Sequence, residues 1–292
     1  MSEKINPSFL NSNEWMSKND STRFSFIGIP IDKNCVSRPG TKFGPNAIRQ
    51  SSLVYYYPEF EGLYDPEKKR YILTDKVIVD LGDIKNKGKN LNTKITESIR
   101  FIISNNSVPI VLGGDHSITY PILQAYNQKF NILHLDAHSD YQRFDESEAM
   151  ESGLVMRRSK SLKNVNKIIH AGIRGYLNSG QGIRDSLSDG NSLITCEVLK
   201  KEGVTSILSQ LDDLPLYISF DTDVLDPSIC PGTTVPEPGG INYDLARSIL
   251  TESVKHSRLI GADFVELNPK YDINQISSLH VSKLIIDMLG EI

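Results

Sequence analysis

The chain has 292 residues and a formal net charge of −4, so it lacks the basic surplus that a nucleic-acid partner requires. No apolar segment of about 18 residues occurs and no basic-then-apolar pattern opens the chain, so neither a membrane span nor a secretion signal is predicted. The three cysteines, Cys35, Cys196 and Cys230, are far apart and odd in number. They predict reduced thiols and a cytoplasmic location.

Residues 1–22 are mostly polar and predict a weakly ordered lead-in, whereas residues 23–292 contain no linker or repeat and predict a single domain. Strand-length apolar runs lie at 23–30, 77–80, 109–112, 131–135, 168–173, 193–195, 216–220 and 259–265. Helical patterns lie between them, beginning at Pro45 and continuing at 95–103, 197–208, 243–255 and 276–289. This alternation, without hairpin dipeptides, predicts an α/β fold with a mostly parallel eight-stranded sheet covered on both faces.

The stretch N-I-L-H-L-D-A-H-S-D at 131–140 carries the strongest chemical signal. Asp136, His138 and Asp140 occupy every second position just past the end of a strand, so their side chains would converge on one point. Two carboxylates and an imidazole suit a divalent cation. Taken alone, the motif is equally consistent with helix capping or with surface ion pairs.

Three other predicted strand ends carry matching chemistry. His116 follows two glycines after the run at 109–112, Asp221 and Asp223 follow the run at 216–220, and Glu266 follows the run at 259–265. Parallel sheets bind ligands at the carboxyl ends of their strands, so these groups are expected to meet at one edge. The nearby Asp115 is interpreted as a loop-capping residue, and so is Asp226.

Six acidic and imidazole groups that met without a cation would repel one another, and one ion would leave charge uncompensated. Two ions that share bridging carboxylates would compensate the charge of all six groups. Four carboxylates with two imidazoles favour two Mn²⁺ ions, with zinc, iron, nickel or cobalt as possible replacements. Such a pair of ions would activate a water molecule near neutral pH.

Four motifs resemble, in order and spacing, the signature blocks of the ureohydrolase family of arginases and agmatinases. They are G-G-D-H-S at 113–117, D-A-H-S-D at 136–140, S-F-D-T-D-V-L-D-P at 219–227 and P-G-T-T-V-P-E-P-G-G at 231–240. The stretch R-P-G-T-K-F-G-P-N-A-I-R at 38–49 and G-I-R at 172–174 resemble the agmatinase branch in particular. The resemblance implies a three-layer α/β/α fold, two Mn²⁺ ions, hydrolysis of a guanidinium group to urea and an amine, and a homo-oligomer, either a trimer or a hexamer.

The resemblance also implies six metal ligands, of which two bridge the ions and two more complete each ion. They are Asp136 and Asp221 as bridges, His116 and Asp140 on one ion, and His138 and Asp223 on the other. In the same comparison Asp140 passes a proton to the leaving amine. The resemblance further implies that Glu266 pairs with the guanidinium of the substrate, which agrees with the ability of a carboxylate to orient that planar cation with two hydrogen bonds.

Two positions depart from the pattern of this family. Relatives usually carry a His-Gly pair some way after D-A-H-x-D, but here the comparable place reads Glu151-Ser152-Gly153. Serine does not titrate near neutral pH, so the proton-carrying role of that histidine is lost unless Glu151 or another residue supplies it. Thr234 stands where relatives commonly have glycine, and its β-branched side chain is expected to narrow the pocket.

The segment 141–151 contains four acidic residues against Arg143 alone, and it lacks the Ser/Thr/Asn-rich stretch with which arginases hold an amino-acid head group. This charge pattern favours a substrate with a cationic tail and hence the conversion of agmatine to putrescine and urea. Because Arg143 could pair with a carboxylate, a substrate with an acidic group, such as guanidinobutyrate, arginine or formiminoglutamate, remains an alternative. A solvated acidic loop without substrate contact is also open.

Three other functional classes of protein are alternatives to a ureohydrolase. The first is a metal-binding relative whose ureohydrolase activity is much reduced because Ser152 replaces histidine. The second is a zinc deacetylase, which is disfavoured because the chain has no His-His pair. The third is a nucleotide-binding α/β protein, which is disfavoured because both glycine-rich phosphate motifs are missing.

Overall fold

The computed structural model describes residues 7–12, 23–34, 37–57, 62–85, 90–143 and 152–292. The strands in these ranges are β1 (Arg23–Ile29), β2 (Leu63–Asp65), β3 (Arg70–Ile72), β4 (Val77–Asp83), β5 (Ser107–Gly113), β6 (Phe130–Leu135), β7 (Val165–Ile173), β8 (Ser192–Thr195), β9 (Leu216–Asp221) and β10 (Leu259–Val265). The α-helices are α1 (Gly44–Ser52), α2 (Leu91–Ser104), α3 (Thr119–Leu123), α4 (Val155–Lys160), α5 (Gly180–Ser188), α6 (Cys196–Glu202), α7 (Thr205–Leu208), α8 (Tyr243–His256) and α9 (Ile276–Leu289).

Eight of the strands form one sheet in the order β4-β1-β5-β10-β9-β6-β7-β8, and all neighbouring pairs are parallel. The predicted eight-stranded parallel sheet is therefore confirmed. The two remaining strands, β2 and β3, pair antiparallel in a separate hairpin. Strands of three residues carry too short a pattern to be read from sequence, which is why the prediction missed this hairpin.

Both faces of the sheet are buried under helices, which produces three layers. On one face Phe24 and Phe26 of β1 share a core with residues of α1, α6, α7, α8 and α9. On the other face Ile27 and Ile29 share a core with residues of α2, α3 and α4. Because both faces are covered, the strands read as continuous apolar runs instead of alternating ones.

Two predicted elements need correction. The helix predicted at 197–208 is two helices, α6 and α7, because Gly203 adopts a φ of +64° and ends the first of them. The polar lead-in contains an ordered piece, in which Phe9 and Leu10 are fully buried and Phe9 stacks on Phe26 with 4.2 Å between ring centroids. The rest of residues 1–22 lies outside the described residues, as does Cys35. Cys196 and Cys230 are free and buried.

In the described part of the chain, no helix combines the length and the apolar character needed to cross a bilayer.

A buried ion cluster joins α1 to β4 at the edge of the sheet. Arg49 is 1% exposed and binds Asp80 with two hydrogen bonds, from Nε to Oδ2 at 2.7 Å and from Nη2 to Oδ1 at 2.9 Å. Its Nη1 also contacts Oδ1 of Asp83 at 2.6 Å. The backbone N–H of Phe9 donates to Oδ2 of Asp80 at 2.8 Å, which attaches residues 7–12 to the same cluster.

Replacing Arg49 with methionine is expected to lower the free energy of unfolding by about 3–5 kcal/mol, because the change leaves the buried carboxylate of Asp80 without its counter-ion. Urea denaturation measures the difference. Arg100→Met, at an exposed position of α2, is the matched control and should change stability by less than about 0.5 kcal/mol. Equal stability of the two variants would contradict a supporting role for the cluster.

Candidate metal centre

The four central strands of the sheet bring the predicted site residues together at their carboxyl ends. β5, β10, β9 and β6 are adjacent in that order, and the residues that end or directly follow them face the same edge. They are His116 after β5, Glu266 after β10, Asp221 and Asp223 at the end of β9, and Asp136, His138 and Asp140 after β6. Asp140 and Glu266 both have positive φ angles, +47° and +62°, which are uncommon outside glycine and cluster at functional sites.

The first group of ligand atoms surrounds Nδ1 of His116, which is buried and makes no hydrogen bond to any described residue. This atom lies 3.3 Å from Oδ2 of Asp136, 3.2 Å from Oδ2 of Asp140 and 3.3 Å from Oδ2 of Asp221. Ligands at about 2.1 Å from a shared ion and at right angles to one another would be about 3 Å apart. The unpaired nitrogen and the three converging oxygens therefore fit a divalent cation.

The second group contains His138, Asp136 and Asp223. Nδ1 of His138 lies 3.0 Å from Oδ2 of Asp223 and 3.5 Å from Oδ1 of Asp136. Asp136 thus presents one carboxylate oxygen to each group, as a bridging ligand would. Asp221, the other predicted bridge, contacts the first group through Oδ2.

Backbone amides orient three of these carboxylates. The N–H of Asp223 donates to Oδ1 of Asp221 at 2.8 Å, the N–H of Ala137 donates to Oδ1 of Asp223 at 2.9 Å, and the N–H of His138 donates to Oδ1 of Asp136 at 2.6 Å. In Asp221 and Asp223 the other oxygen is left to face the histidines. The local turns after β6 and β9 therefore fix the ligand geometry.

The electrostatics of the cluster favour a cation. Burial and the charges of Asp223 and Asp136 hold the pKa of Asp221 well above its ordinary value, and burial together with Asp136 raises the pKa of Asp223 to about 6. Burial disfavours the charged form of His138, but Asp223 and Asp136 outweigh it and raise its pKa to about 12. Bound divalent cations would relieve the repulsion among the carboxylates and replace the protons on the imidazoles.

Metal affinity is therefore expected to rise with pH. Protons on His138 and Asp223 must leave before these ligands bind a cation, so acid favours the metal-free form. We expect the Kd for Mn²⁺ to fall about tenfold per pH unit above about pH 6, where Asp223 is ionised and about one proton per ion remains to be released. Calorimetric titrations in buffers of different ionisation enthalpy measure both quantities. A Kd independent of pH, without proton release, would contradict the assigned ligands.

Glu266 lies beside the cluster in a buried position. Its Oε1 accepts a hydrogen bond from the backbone N–H of His116 at 2.7 Å, and the hydroxyl of Thr234 donates to Oε2. Burial and the charge of Asp115 raise the pKa of Glu266 to about 8. A cationic partner would favour the ionised form of this carboxylate.

Ser152 and Thr234, the two departures from the family pattern, both reach Glu266. Oγ of Ser152 lies 3.3 Å from Oε1 of Glu266 and 3.2 Å from the carbonyl oxygen of Asn34. Thr234 lines the pocket, and its hydroxyl helps to hold the orientation of the Glu266 carboxylate. Glu151, the other predicted loop residue, lies outside the described residues.

The pocket over the cluster is lined by polar and apolar side chains in addition to the acidic ones. Its further lining residues are Ser139, Gln142, Gly153, Leu177, Asn178, Ser179 and Val235. No lysine or arginine is among the described residues that line it. Arg143 is exposed and pairs with Asp185 at 3.0 Å, and residues 144–151 lie outside the described part of the chain.

Two sequence interpretations concern residues near the pocket. Tyr141, the first residue of the acidic segment, is fully buried, and its hydroxyl donates to Asp189 at 2.5 Å, so it is a core residue and not part of a mouth loop. Asp115 accepts from the N–H of Ser117 at 3.2 Å, and Asp226 accepts from the N–H groups of two glycines at 239 and 240, each at 2.9 Å. Their interpretation as loop-capping residues is confirmed.

Sequence reasoning missed two groups behind the ligands. His134 lies next to the first ligand group, and its Nε2 is 2.9 Å from Oδ2 of Asp136. Behind His116, Nε2 bonds Oγ of Ser219 at 2.9 Å, and that hydroxyl donates to Asp263 at 2.7 Å. His134 could have been found, because it shares the every-second-residue spacing of Asp136, whereas Asp263 lies inside an apolar strand and gave no such signal.

A parallel sheet covered by helices, with two groups of carboxylates and imidazoles at the carboxyl ends of its strands, is typical of a metal-dependent α/β enzyme. The model of the arginase family matches residues 22–290, and the chain belongs to that family. It is a metal-dependent hydrolase that acts on guanidino carbon–nitrogen bonds. The family membership also excludes the nucleotide-binding and deacetylase readings.

Several known proteins are similar to this chain. The mitochondrial guanidino acid hydrolase of Homo sapiens is 32% identical over 277 residues, which cover 91% of this chain and 77% of the relative. The mitochondrial agmatinase of Gallus gallus is also 32% identical, with 91% and 79% covered. The solved structure of proclavaminate amidino hydrolase from Streptomyces clavuligerus superimposes with a TM-score of 0.82 at 25% identity, covering 98% of this chain and 96% of that one.

Proposed function

We propose that this enzyme hydrolyses agmatine to putrescine and urea with two Mn²⁺ ions. The observation that carries the proposal is the position of Glu266, a buried carboxylate directly beside the ligand cluster, in a pocket whose described lining contains no lysine or arginine. A guanidinium group can pair with that carboxylate, and the described lining offers no lysine or arginine to bind an acidic tail. The mixed carboxylate and imidazole ligands support Mn²⁺ over Mg²⁺.

Each residue of the site has a proposed task. Glu266 binds the guanidinium through Oε1 and Oε2 and orients its carbon toward the ligand cluster. The cluster of carboxylates and imidazoles would hold divalent cations, which would lower the pKa of a water enough to make it nucleophilic near neutral pH. Asp140, whose Oδ2 lies 3.2 Å from Nδ1 of His116, would hold the proton that the nucleophile loses as its oxygen bonds to the guanidinium carbon, and would deliver that proton to the leaving amine nitrogen as the carbon–nitrogen bond breaks.

The second candidate is hydrolysis of an acidic guanidino compound. It is supported by the human relative, which is named a guanidino acid hydrolase and is as similar to this chain as the chicken agmatinase. Against it stands Arg143, the cation of the acidic segment, because its side chain already pairs with Asp185. We also propose that the enzyme is located in the cytoplasm. We further propose that it forms a homo-oligomer, either a trimer or a hexamer, and light scattering would measure its molar mass.

A substrate panel tests the proposal. The Mn²⁺-loaded enzyme is assayed for urea release from agmatine, arginine and 4-guanidinobutyrate, and kcat/KM is expected to be highest for agmatine. A higher kcat/KM for either compound that carries a carboxylate would overturn the choice of substrate. Release of no urea from any of them, by protein that binds two metal ions, would support the reading of a relative with reduced activity.

Replacing Ser152 with histidine is expected to raise kcat by as much as about 10²-fold, because an imidazole beside Glu266 would supply a group that transfers protons near neutral pH. Ser152→Asn is the matched control, since asparagine adds polar bulk without a titrating group. The urea assay measures both variants. If histidine and asparagine change kcat equally, proton transfer at this position does not limit the enzyme.

A further inference from the structure

A line of polar side chains extends from Asp136 into the core, away from the pocket. His134 of β6 and His170 of β7 are neighbours in the sheet, both are fully buried, and their Nδ1 atoms are 2.9 Å apart. On the pocket side, Nε2 of His134 contacts Oδ2 of Asp136 at 2.9 Å. On the other side, Nε2 of His170 contacts Oγ of Ser186 in α5 at 3.0 Å. These four side chains form one continuous row.

The hydrogen bonds at the far end of the row determine which atoms donate and which accept along it. Oδ1 of Asn191 accepts from the backbone N–H of Ile168 at 2.9 Å, so the amide nitrogen of Asn191 faces Ser186 and donates to its Oγ at 3.1 Å. Among the described hydrogen bonds, Nε2 of His170 is the acceptor left for the hydroxyl proton of Ser186. A buried hydroxyl normally donates its proton, so this nitrogen of His170 is expected to be an acceptor.

The near end of the row requires the same direction. Ionised Asp136 can only accept, so Nε2 of His134 must carry a proton. Only one proton fits between the two Nδ1 atoms, and it must come from His170, whose Nε2 is already an acceptor. Both imidazoles are then neutral, and every donor in the row has an acceptor. Burial holds the pKa of His170 well below its ordinary value, which agrees with a neutral ring.

We propose that His134, His170 and Ser186 are positioning residues that hold the carboxylate plane of Asp136 between the two ligand groups. His134 carries its proton on Nε2 and His170 carries its proton on Nδ1. His134 is not itself a metal ligand, because both of its ring nitrogens are used in this row. The inference rests on the proposed role of Asp136 in metal binding, and it adds the residues that keep that ligand in place.

The protonation pattern can be measured directly. Nitrogen-15 NMR of the full-length protein labelled at histidine, both metal-free and loaded with diamagnetic Zn²⁺, identifies which ring nitrogen of each histidine carries hydrogen. We expect protonated Nε2 with bare Nδ1 at His134, and the reverse at His170. The spectrum of His134→Gln assigns the signals. Protonation of Nδ1 at His134 would overturn the proposal, as would a doubly protonated ring.

Metal affinity tests the positioning role separately. We expect the Kd for Mn²⁺ to rise by about 10- to 100-fold in His134→Gln, and by a smaller factor of about 3- to 10-fold in Ser186→Ala, which keeps both rings. Ser253→Ala is the matched control, because Ser253 is also fully buried but its Oγ has no hydrogen-bond partner in the described part of the chain. Ser186→Cys, with a weak donor of similar size, should recover part of the affinity.

The outcomes separate the proposal from a purely structural role. If Ser186→Ala weakens Mn²⁺ binding more than Ser253→Ala and also changes the His170 signals, the positioning role is supported. If both variants keep the wild-type Kd and the same His170 signals, the proposal is overturned, even if both are less stable. Neither readout depends on urea release, so failure of the proposed reaction would be recognised separately.

Discussion

Replacing Asp136 with asparagine should weaken binding of divalent cations by at least about 100-fold and lower kcat/KM for a guanidino substrate by more than about 10³-fold. The two oxygens of Asp136 serve different groups, since Oδ2 is 3.3 Å from Nδ1 of His116 and Oδ1 is 3.5 Å from Nδ1 of His138. Asparagine replaces one of these oxygens with an amide NH₂ and removes the negative charge that both groups share, so both groups would hold a cation less tightly. That loss exceeds the tenfold to 100-fold effect typical of a residue that only supports a ligand.

Calorimetric titration with Mn²⁺ and the urea assay measure the two effects. Asp244→Asn, an exposed carboxylate in the first turn of α8, makes the same chemical change away from the site and should leave both values unchanged. Urea denaturation of the metal-free proteins would establish that the Asp136 variant is folded. An Asp136→Asn protein that binds two ions with wild-type affinity would show that Asp136 does not bridge them.

Replacing Glu266 with glutamine should lower kcat/KM by about 10²- to 10⁴-fold, while the Kd for Mn²⁺ changes by no more than a few-fold. Glutamine keeps the size of the side chain but removes the charge that pairs with the guanidinium, and loss of one partner from a buried ion pair costs about 3–5 kcal/mol. The metal ligands themselves remain. Glu252→Gln, on the exposed side of α8, is the matched control.

The pH dependence of kcat/KM gives a second readout for Glu266. Its pKa is raised to about 8 by burial and by Asp115, and a guanidinium would bind the ionised form. Below that pKa most of the carboxyl is protonated, so kcat/KM should rise with pH. The inflection should lie at or below about pH 8, because nearby cations would lower the pKa of Glu266. The inflection should be absent in Glu266→Gln. A variant with wild-type kcat/KM and an unchanged profile would remove Glu266 from substrate binding.

The sheet could be predicted because its strands are buried on both faces and therefore read as uninterrupted apolar runs. The run at 259–265 matches β10 at both ends, and the pattern at 276–289 matches α9 at both ends. The β2–β3 hairpin could not be predicted, since its strands have three residues each. The helix predicted at 197–208 failed at Gly203, whose positive φ is invisible to an apolar pattern.

The ligands that follow β6 could be predicted because a two-residue spacing past a strand end places side chains on one side. Sequence reasoning did not recover pairs of side chains that lie away from the strand ends. Arg49 meets Asp80 across 31 residues, and His134 meets His170 across 36. His134 has the two-residue spacing that could have identified it, but a polar residue inside an apolar strand is easily taken as an ordinary core position.

The number of divalent cations bound per chain is the most direct test of the central claim, which is that two ligand groups share Asp136. Metal analysis of the Mn²⁺-loaded protein, combined with calorimetric titration, gives this number. We predict two ions per chain in the wild-type protein. A saturated preparation with a single ion per chain, or with none, would contradict the account.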